Sequence, residues 1–295
     1  MLELTMEWID VFQESPSLLY GTTLALGLIV GSFLNVVILR LPRMMEAGWR
    51  RDCAEFVGTE TQGDEPVLNL AQPPSHCPAC GHRISALENI PILSYLFLRG
   101  RCSACGIRIS ARYPLIEGLT ALLTLVVVLH FGLSWQTAAA LALTWGLIAL
   151  AVIDYDTQLL PDGITIPFLW AGLLLSLFGL FTDSASSIIG AVAGYLSLWA
   201  VFQLFRLVTG KEGMGYGDFK LLGLFGAWFG WQFLPQIILL SAVAGAVLGT
   251  LLIIGGRHQP GHPMPFGPFL ATAGWISLIW GQQINDAYLR LSGLA

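Results

Sequence analysis

The chain has 295 residues, of which 55% are hydrophobic and only 11% charged, against about 25% charged residues in ordinary soluble domains. That balance excludes a soluble globular protein and places the chain in contact with membrane lipid. A net charge of −5 supplies no basic field that would attract nucleic acid.

The N-terminal stretch MLELTMEWIDVFQESPS has no Lys or Arg. It therefore lacks the basic n-region of a cleaved signal peptide, and the first apolar run is expected to stay in the mature protein. A bilayer-crossing helix needs roughly 20 apolar residues. Apolar runs fall at 18–39, 115–133, 136–153, 163–181, 186–208, 219–234, 235–255 and 267–284. Eight spans is the best count and seven the alternative, because the sixth run is short and meets the seventh at Pro235. Alternating polar and apolar strands are absent, which argues against a membrane barrel. The expected fold is an all-α polytopic membrane protein of about eight transmembrane helices, with a small cytoplasmic zinc-ribbon-like insert.

Nine of the 14 Lys and Arg residues lie between Arg40 and Arg112, after the first run. With eight spans, Arg206, Lys211, Lys220 and Arg257 fall on that same side. Basic loops stay cytoplasmic, so the insert is expected in the cytoplasm and both termini outside.

Residues 40 to 114 are too polar to span. Within them stand CPAC at 77–80 and CSAC at 102–105, a CxxC-x21-CxxC pattern. Two such knuckles can set four thiolates, Cys77, Cys80, Cys102 and Cys105, tetrahedrally around one structural Zn2+. A glycine follows each second cysteine, which suits the tight turn of a ribbon. Disulfides are the alternative, but a cytoplasmic insert lies in a reducing compartment. His76 and His82 flank the first knuckle as substitute ligands, and Cys53 is the odd thiol. Between the knuckles, ENIPILSYLFLRGR reads either as packing for the ribbon or as a surface against membrane or cofactor.

The third apolar run leads directly into Asp154, in VIDYDTQLLPDG, and Asp218 opens the sixth, in GMGYGDFKLLG. Both are expected at the cytoplasmic membrane edge. Ionisable residues there are costly and by default functional. Two carboxylates sharing a low-dielectric site cannot both ionise easily, so one holds a proton while the other acts as base. That split suits aspartic peptide hydrolysis. Gly213, Gly215 and Gly217 would give a substrate backbone room to approach. Asp218 also fits a helix N-cap, and Asp162 fits one better; Asp156 reads as a solvated loop acid. His130 reads as interfacial. His258 and His262 form a HxxxH in a Pro/Gly-rich loop, a weak metal signal. The pairs Gly190/Gly194 and Gly245/Gly249 suit helix packing.

Taken in order, GSFLNVVILRLP, the paired knuckles, NIPILSYLFLRGRCSACG, RYPLIE, IDYDTQLLPD, KEGMGYGDFKLLGLFGAW and PFGPFL closely resemble the type IV prepilin peptidases of Gram-negative bacteria, over almost the whole chain. The resemblance implies a GxGD-type membrane aspartic peptidase of the bacterial inner membrane, with Asp154 and Asp218 as its catalytic pair. It implies cleavage of the basic leader of type IV prepilins and type II secretion pseudopilins, after a glycine. It further implies N-methylation of the new N-terminal residue from S-adenosylmethionine, with the cysteine-bearing insert serving that step and Gly100 and Arg101 lying in its region. The implied division is 1–39 for the N-terminal segment and first span, 40–114 for the zinc domain and 115–295 for the peptidase core. Rival readings are a peptidase without methyl transfer, and a non-enzymatic transporter or scaffold carrying a zinc module.

Overall fold

In the computed structural model, residue 12 and residues 14–58, 68–211, 213–255 and 264–293 are described. Nine α-helices occur among them, and the only strand pairing consists of two isolated bridges. The chain divides into two compact units, Met1–Thr137 and Ala138–Ala295.

The first unit holds α1 (Pro16–Val57), the short α2 (Leu93–Phe97) and α3 (Arg112–Phe131). Proline at the first turn starts α1, and Gly58 in the left-handed conformation stops it. The helix does not end near residue 39, where the first span was expected to give way to the insert. It runs through Pro42 to Val57, because Pro42 removes only one N–H and good helix formers come after it. α1 packs closely on α3 through Gly27 and Gly31. A Cβ at Gly27 would lie 2.5 Å from the Ala121 Cα, and one at Gly31 would lie 2.7 Å from the Glu117 Cα. This is the small-residue contact by which helices associate in lipid. Asn35 adds a donated hydrogen bond to the Tyr113 carbonyl at 3.2 Å. The Arg40 guanidinium donates to the carbonyls of Asn69 and Pro73, at 3.0 and 2.7 Å, and so ties the chain entering the first knuckle to α1.

The second unit is built on α4 (Trp135–Thr157, mostly within it), α5 (Asp162–Ser176), α6 (Ser184–Thr209), α7 (Tyr216–Phe229), α8 (Leu234–Ile254) and α9 (Gly267–Ser292). α7 is its centre: from Asp218 to Phe229 every residue but Lys220 is buried. Gly190 and Gly194 of α6 admit the α7 backbone, since Cβ atoms there would lie 2.4 Å from the Gly226 carbonyl oxygen and 2.6 Å from that of Leu222. Gly245 and Gly249 face only side chains at ordinary contact distance, so this second pair does not act in the same way. The Trp228 indole donates to the Phe168 carbonyl of α5 at 2.7 Å.

All eight apolar runs form helices. Among the described residues, five helical segments are long and apolar enough to cross a membrane: Pro16–Val57, Arg112–Phe131, Trp135–Thr157, Ser184–Thr209 and Trp231–Ile254. α5 and α7 have 15 and 14 residues, about 21–23 Å each at 1.5 Å per residue, less than the bilayer core of about 30 Å. The sixth run stops at Phe229, not Pro235. Gly230 adopts φ +85, and a 3-10 turn, Trp231–Phe233, leads into α8.

Candidate active site and metal centre

Asp154 sits in the last turn of α4, which ends where Gln158 takes φ +57. Its side chain is 5% exposed, and its Oδ2 accepts the Gly267 N–H at 2.9 Å from the start of α9. Asp218 is the third residue of α7 and 7% exposed. The N-cap of that helix is Gly215, so Asp218 does not occupy the cap position. Its N–H donates to the Gly215 carbonyl at 3.3 Å. The two carboxylates interact electrostatically, although 64 positions separate them in the chain.

The first turn of α7 is fixed from two sides. Phe219 packs in an aromatic cluster with Tyr195, Phe202 and Tyr216, at centroid distances of 5.4–5.9 Å. Lys220 donates to both oxygens of Asp162 at 2.7 and 2.8 Å. Asp162 thus stands one place inside α5 as an ion-pair partner, and Pro161 occupies the N-cap expected for it.

The three loop glycines differ. A Cβ at Gly217 would fall 2.7 Å from that of Leu160, and one at Gly213 would fall 2.8 Å from the Phe205 ring. At Gly215 the space is open. Gly213 and Gly217 therefore let this chain's own side chains close in, and Gly215 leaves an exposed approach next to Asp218. Asp156 is exposed. His258 and His262 lie outside the described residues.

In the first unit the two knuckles repeat the same hydrogen bonds. Cys77 N–H donates to His82 C=O and Gly81 N–H to Cys77 C=O, each at 2.9 Å. In the second knuckle Cys102 donates to Ile107 and Gly106 to Cys102, at 2.9 and 3.0 Å. Gly81 and Gly106 take φ +71 and +72, the turn their position after each second cysteine predicted. The four sulfurs lie within 4.8 Å of one another. Cys77 and Cys105 are 3.9 Å apart, as are Cys80 and Cys102. Tetrahedral zinc with Zn–S of about 2.3 Å requires sulfurs about 3.8 Å apart, so the donor set fits one zinc ion.

Backbone N–H groups of Cys80 and Ala79 hold the Cys77 thiol down to about 7. Those of Cys105 and Ala104 lower Cys102 in the same way. Thiolate is the ligand form, so Cys77 and Cys102 are prepared for metal binding, whereas the Cys80 thiol, despite the His82 N–H, is pushed up to about 12 by the Cys105 thiol and by burial. The histidines stand aside: His76 Nδ1 meets the Pro74 carbonyl and His82 Nε2 faces Glu88. Cys53 is a free, exposed thiol.

Gly100 is explained by the ribbon. It takes φ +65, donates to the Tyr95 carbonyl at 2.8 Å, and leaves no room for a Cβ, which would lie 2.8 Å from the Tyr95 ring. Arg101 is exposed, and its backbone bridges to Arg108. The local fold thus requires glycine at 100, and the Arg101 side chain is left exposed beside it.

Sequence reasoning passed over Gly267, Leu160 and the buried Glu117. The glycine stands between Phe266 and Pro268 in PFGP, the one local signal that pointed to it. Glu117 is an acid inside an apolar run, a signal as plain as that of Asp154.

A helical membrane protein with two buried, interacting aspartates beside a glycine loop, and a four-cysteine metal module, defines a class: a membrane aspartic peptidase architecture with a zinc-binding insert. The family model for the bacterial peptidase A24 N-terminal domain matches residues 25–131, and that for the type IV leader peptidase family matches residues 141–250. The prepilin leader peptidase/N-methyltransferase of Pseudomonas aeruginosa is 53% identical over 288 residues, covering 98% of this chain and 99% of the relative. Those of Aeromonas hydrophila and Xanthomonas campestris pv. campestris are 53% and 44% identical, covering 95% of this chain and 97% and 98% of theirs. No solved structure matches the chain significantly. The chain belongs to the type IV leader peptidase family.

Proposed function

We infer that this protein is a bifunctional membrane enzyme, which removes the leader of type IV prepilins and N-methylates the residue thereby exposed. Relatives matching nearly end to end carry both activities in their names. The observation that carries the peptidase reading is the buried pair Asp154 and Asp218, drawn together by α4 and α7.

One carboxylate of the pair takes a proton from a water molecule, and that water attacks the scissile carbonyl. The other, protonated, donates a hydrogen bond to the carbonyl oxygen and stabilises the charge that develops there. The proton then passes to the leaving amine. The Gly267 N–H fixes one oxygen of Asp154 and so orients the opposite one. The open side at Gly215 admits the substrate backbone. Exclusion of bulk water at this depth strengthens each of these interactions.

The finer assignments belong to the same reading. Substrates include type II secretion pseudopilins, with cleavage after a glycine and the basic leader held on the cytoplasmic side. The insert, residues 40–114, faces the cytoplasm, and the enzyme resides in the bacterial inner membrane. Cys77, Cys80, Cys102 and Cys105 hold the structural zinc, and the insert serves methylation. When bound, S-adenosylmethionine would supply an electrophilic methyl group for the new amine, and the ribbon would keep the insert's shape for that step. Residues 115–295 carry the peptidase.

The test is leader cleavage of a purified prepilin by Asp154→Asn and Asp218→Asn. Each should lose at least about 100-fold in kcat/KM, as removal of an acid–base group does. Full activity in either variant refutes the pair.

A further inference from the structure

The segment between the knuckles has a feature that neither zinc binding nor hydrolysis uses. Ile92 N–H donates to the buried Glu117 carboxylate at 2.7 Å, and the Ile92 side chain lies against Gly118, 3.6 Å from where a Cβ there would stand. Glu117 is five residues past Arg112, about 7–8 Å along α3 at 1.5 Å per residue. α3 has 20 residues, about 30 Å, the thickness of the hydrocarbon core. Ile92 is therefore fixed at a level already inside the span of α3, not above it.

The residues after Ile92 suit that level. In α2, Leu93, Leu96 and Phe97 are 52%, 64% and 84% exposed, and their i, i+3, i+4 spacing puts them on one face. The other face belongs to the ribbon: the Tyr95 ring covers Gly100, and its hydroxyl donates to the Ile109 carbonyl at 3.4 Å. Leu115 and Leu119, two residues to either side of Glu117 in α3, are left exposed as well. Lipid tolerates backbone only where its polar groups are paired. Here Ser94, Leu96 and Leu98 N–H groups donate to Ile90, Ile92 and Ser94 carbonyls at 2.9–3.1 Å, and Glu117 takes the N–H of Ile92. Arg99 and Arg101 come next, both exposed, where lipid phosphates would pair with them.

We propose that α2 is an interfacial anchor: Leu93, Leu96 and Phe97 insert into the lipid of the protein's own membrane, and Glu117 pins the turn that carries them. The occupant of this apolar face is the acyl region of the bilayer, beneath the headgroups that Arg99 and Arg101 reach. The zinc ribbon is thereby held down on the membrane surface beside α3.

The experiment uses the full-length protein in nanodiscs of phosphatidylethanolamine and phosphatidylglycerol that contain a lipid with an acyl-chain diazirine. After irradiation, adducts are mapped by mass spectrometry. Adducts on residues 93–97, as well as on the long helices, are expected. None is expected on 50–57 or on the knuckle residues 77–83. Labelling confined to the long helices overturns the proposal. A water-soluble carbene reagent gives the converse reading: the proposal expects α2 to be protected in the protein alone. Protection that arises only when prepilin is added, or only in a dimeric fraction, assigns the face to the substrate or a second copy and overturns it as well.

Discussion

Gly267→Ala tests whether Asp154 must be held in place. In the structure the Gly267 N–H reaches Asp154 Oδ2 at 2.9 Å, and a Cβ at 267 would lie 2.6 Å from that oxygen and 2.9 Å from Cγ. Contacts that short do not persist, so the carboxylate must retreat by several tenths of an ångström or more. Gly267 does not have a left-handed backbone, and alanine is a better helix former, so α9 itself accepts the change. The loss falls on the orientation of Asp154. A hydrogen bond to a charged group is worth about 1.5–3 kcal/mol, and misplacing a reacting group by about 1 Å can cost roughly 100-fold in rate. Both arguments lead to a fall in kcat/KM of about 10- to 100-fold. The assay is leader cleavage of prepilin in nanodiscs across substrate concentrations, with thermal unfolding and zinc content measured in parallel. A Gly267→Ala enzyme within about threefold of the parent refutes the idea that this N–H positions the catalytic carboxylate.

Cys77→Ser should lose zinc and methylation together, because a structural site supplies the folding energy of a small module, while leader cleavage persists; methylation at the parent rate without zinc contradicts the role given to the ribbon. Asp162→Asn should alter cleavage by less than about fivefold, since a partly exposed ion pair such as Lys220–Asp162 is worth about 0.2–1 kcal/mol; a much larger loss, measured as kcat/KM, would give Lys220 a part in the chemistry. Glu88 accepts the Ser103 hydroxyl and, at 2.8 Å, the Ser85 N–H, and these hold its carboxyl down to about 2 from 4.5. The folded value lies below the unfolded one, so the contribution to stability is complete above pH 4.5 and is lost as pH falls towards 2. The carboxyl carbon shift of Glu88 should accordingly titrate well below 4.5, and a midpoint at the ordinary value discounts both bonds.

Much of the site is local chemistry and was legible for that reason. The knuckles place Cys77, Cys80, Cys102 and Cys105, and the glycine after each pair, within two short repeats, so spacing alone foretold the left-handed turns and the metal cluster. The acids at 154 and 218 stood out because a carboxylate directly against an apolar run is conspicuous wherever the chain folds. Helix ends were read less well. The first apolar run ends at residue 39, yet α1 continues through Pro42 to Val57, because one missing N–H does not outweigh the helix-forming residues after it. Asp162 looked like a cap, yet Lys220, brought from 58 positions away, claims its carboxylate.

Composition and pattern by themselves determined a membrane-embedded helical chain with a four-thiolate module and two edge aspartates, since burial preference, periodicity and ligand spacing act over a few residues. Only the tertiary structure decided that α7 is a buried centre rather than an ordinary span, because its short length matters only once α5, α6 and α9 surround it. The same holds for the N–H of Gly267, 113 residues from the aspartate it holds, and for the bond by which Glu117 fixes Ile92. Hydrogen bonds between distant segments leave no period or spacing in the sequence, and they exist only when the helices that carry them have packed.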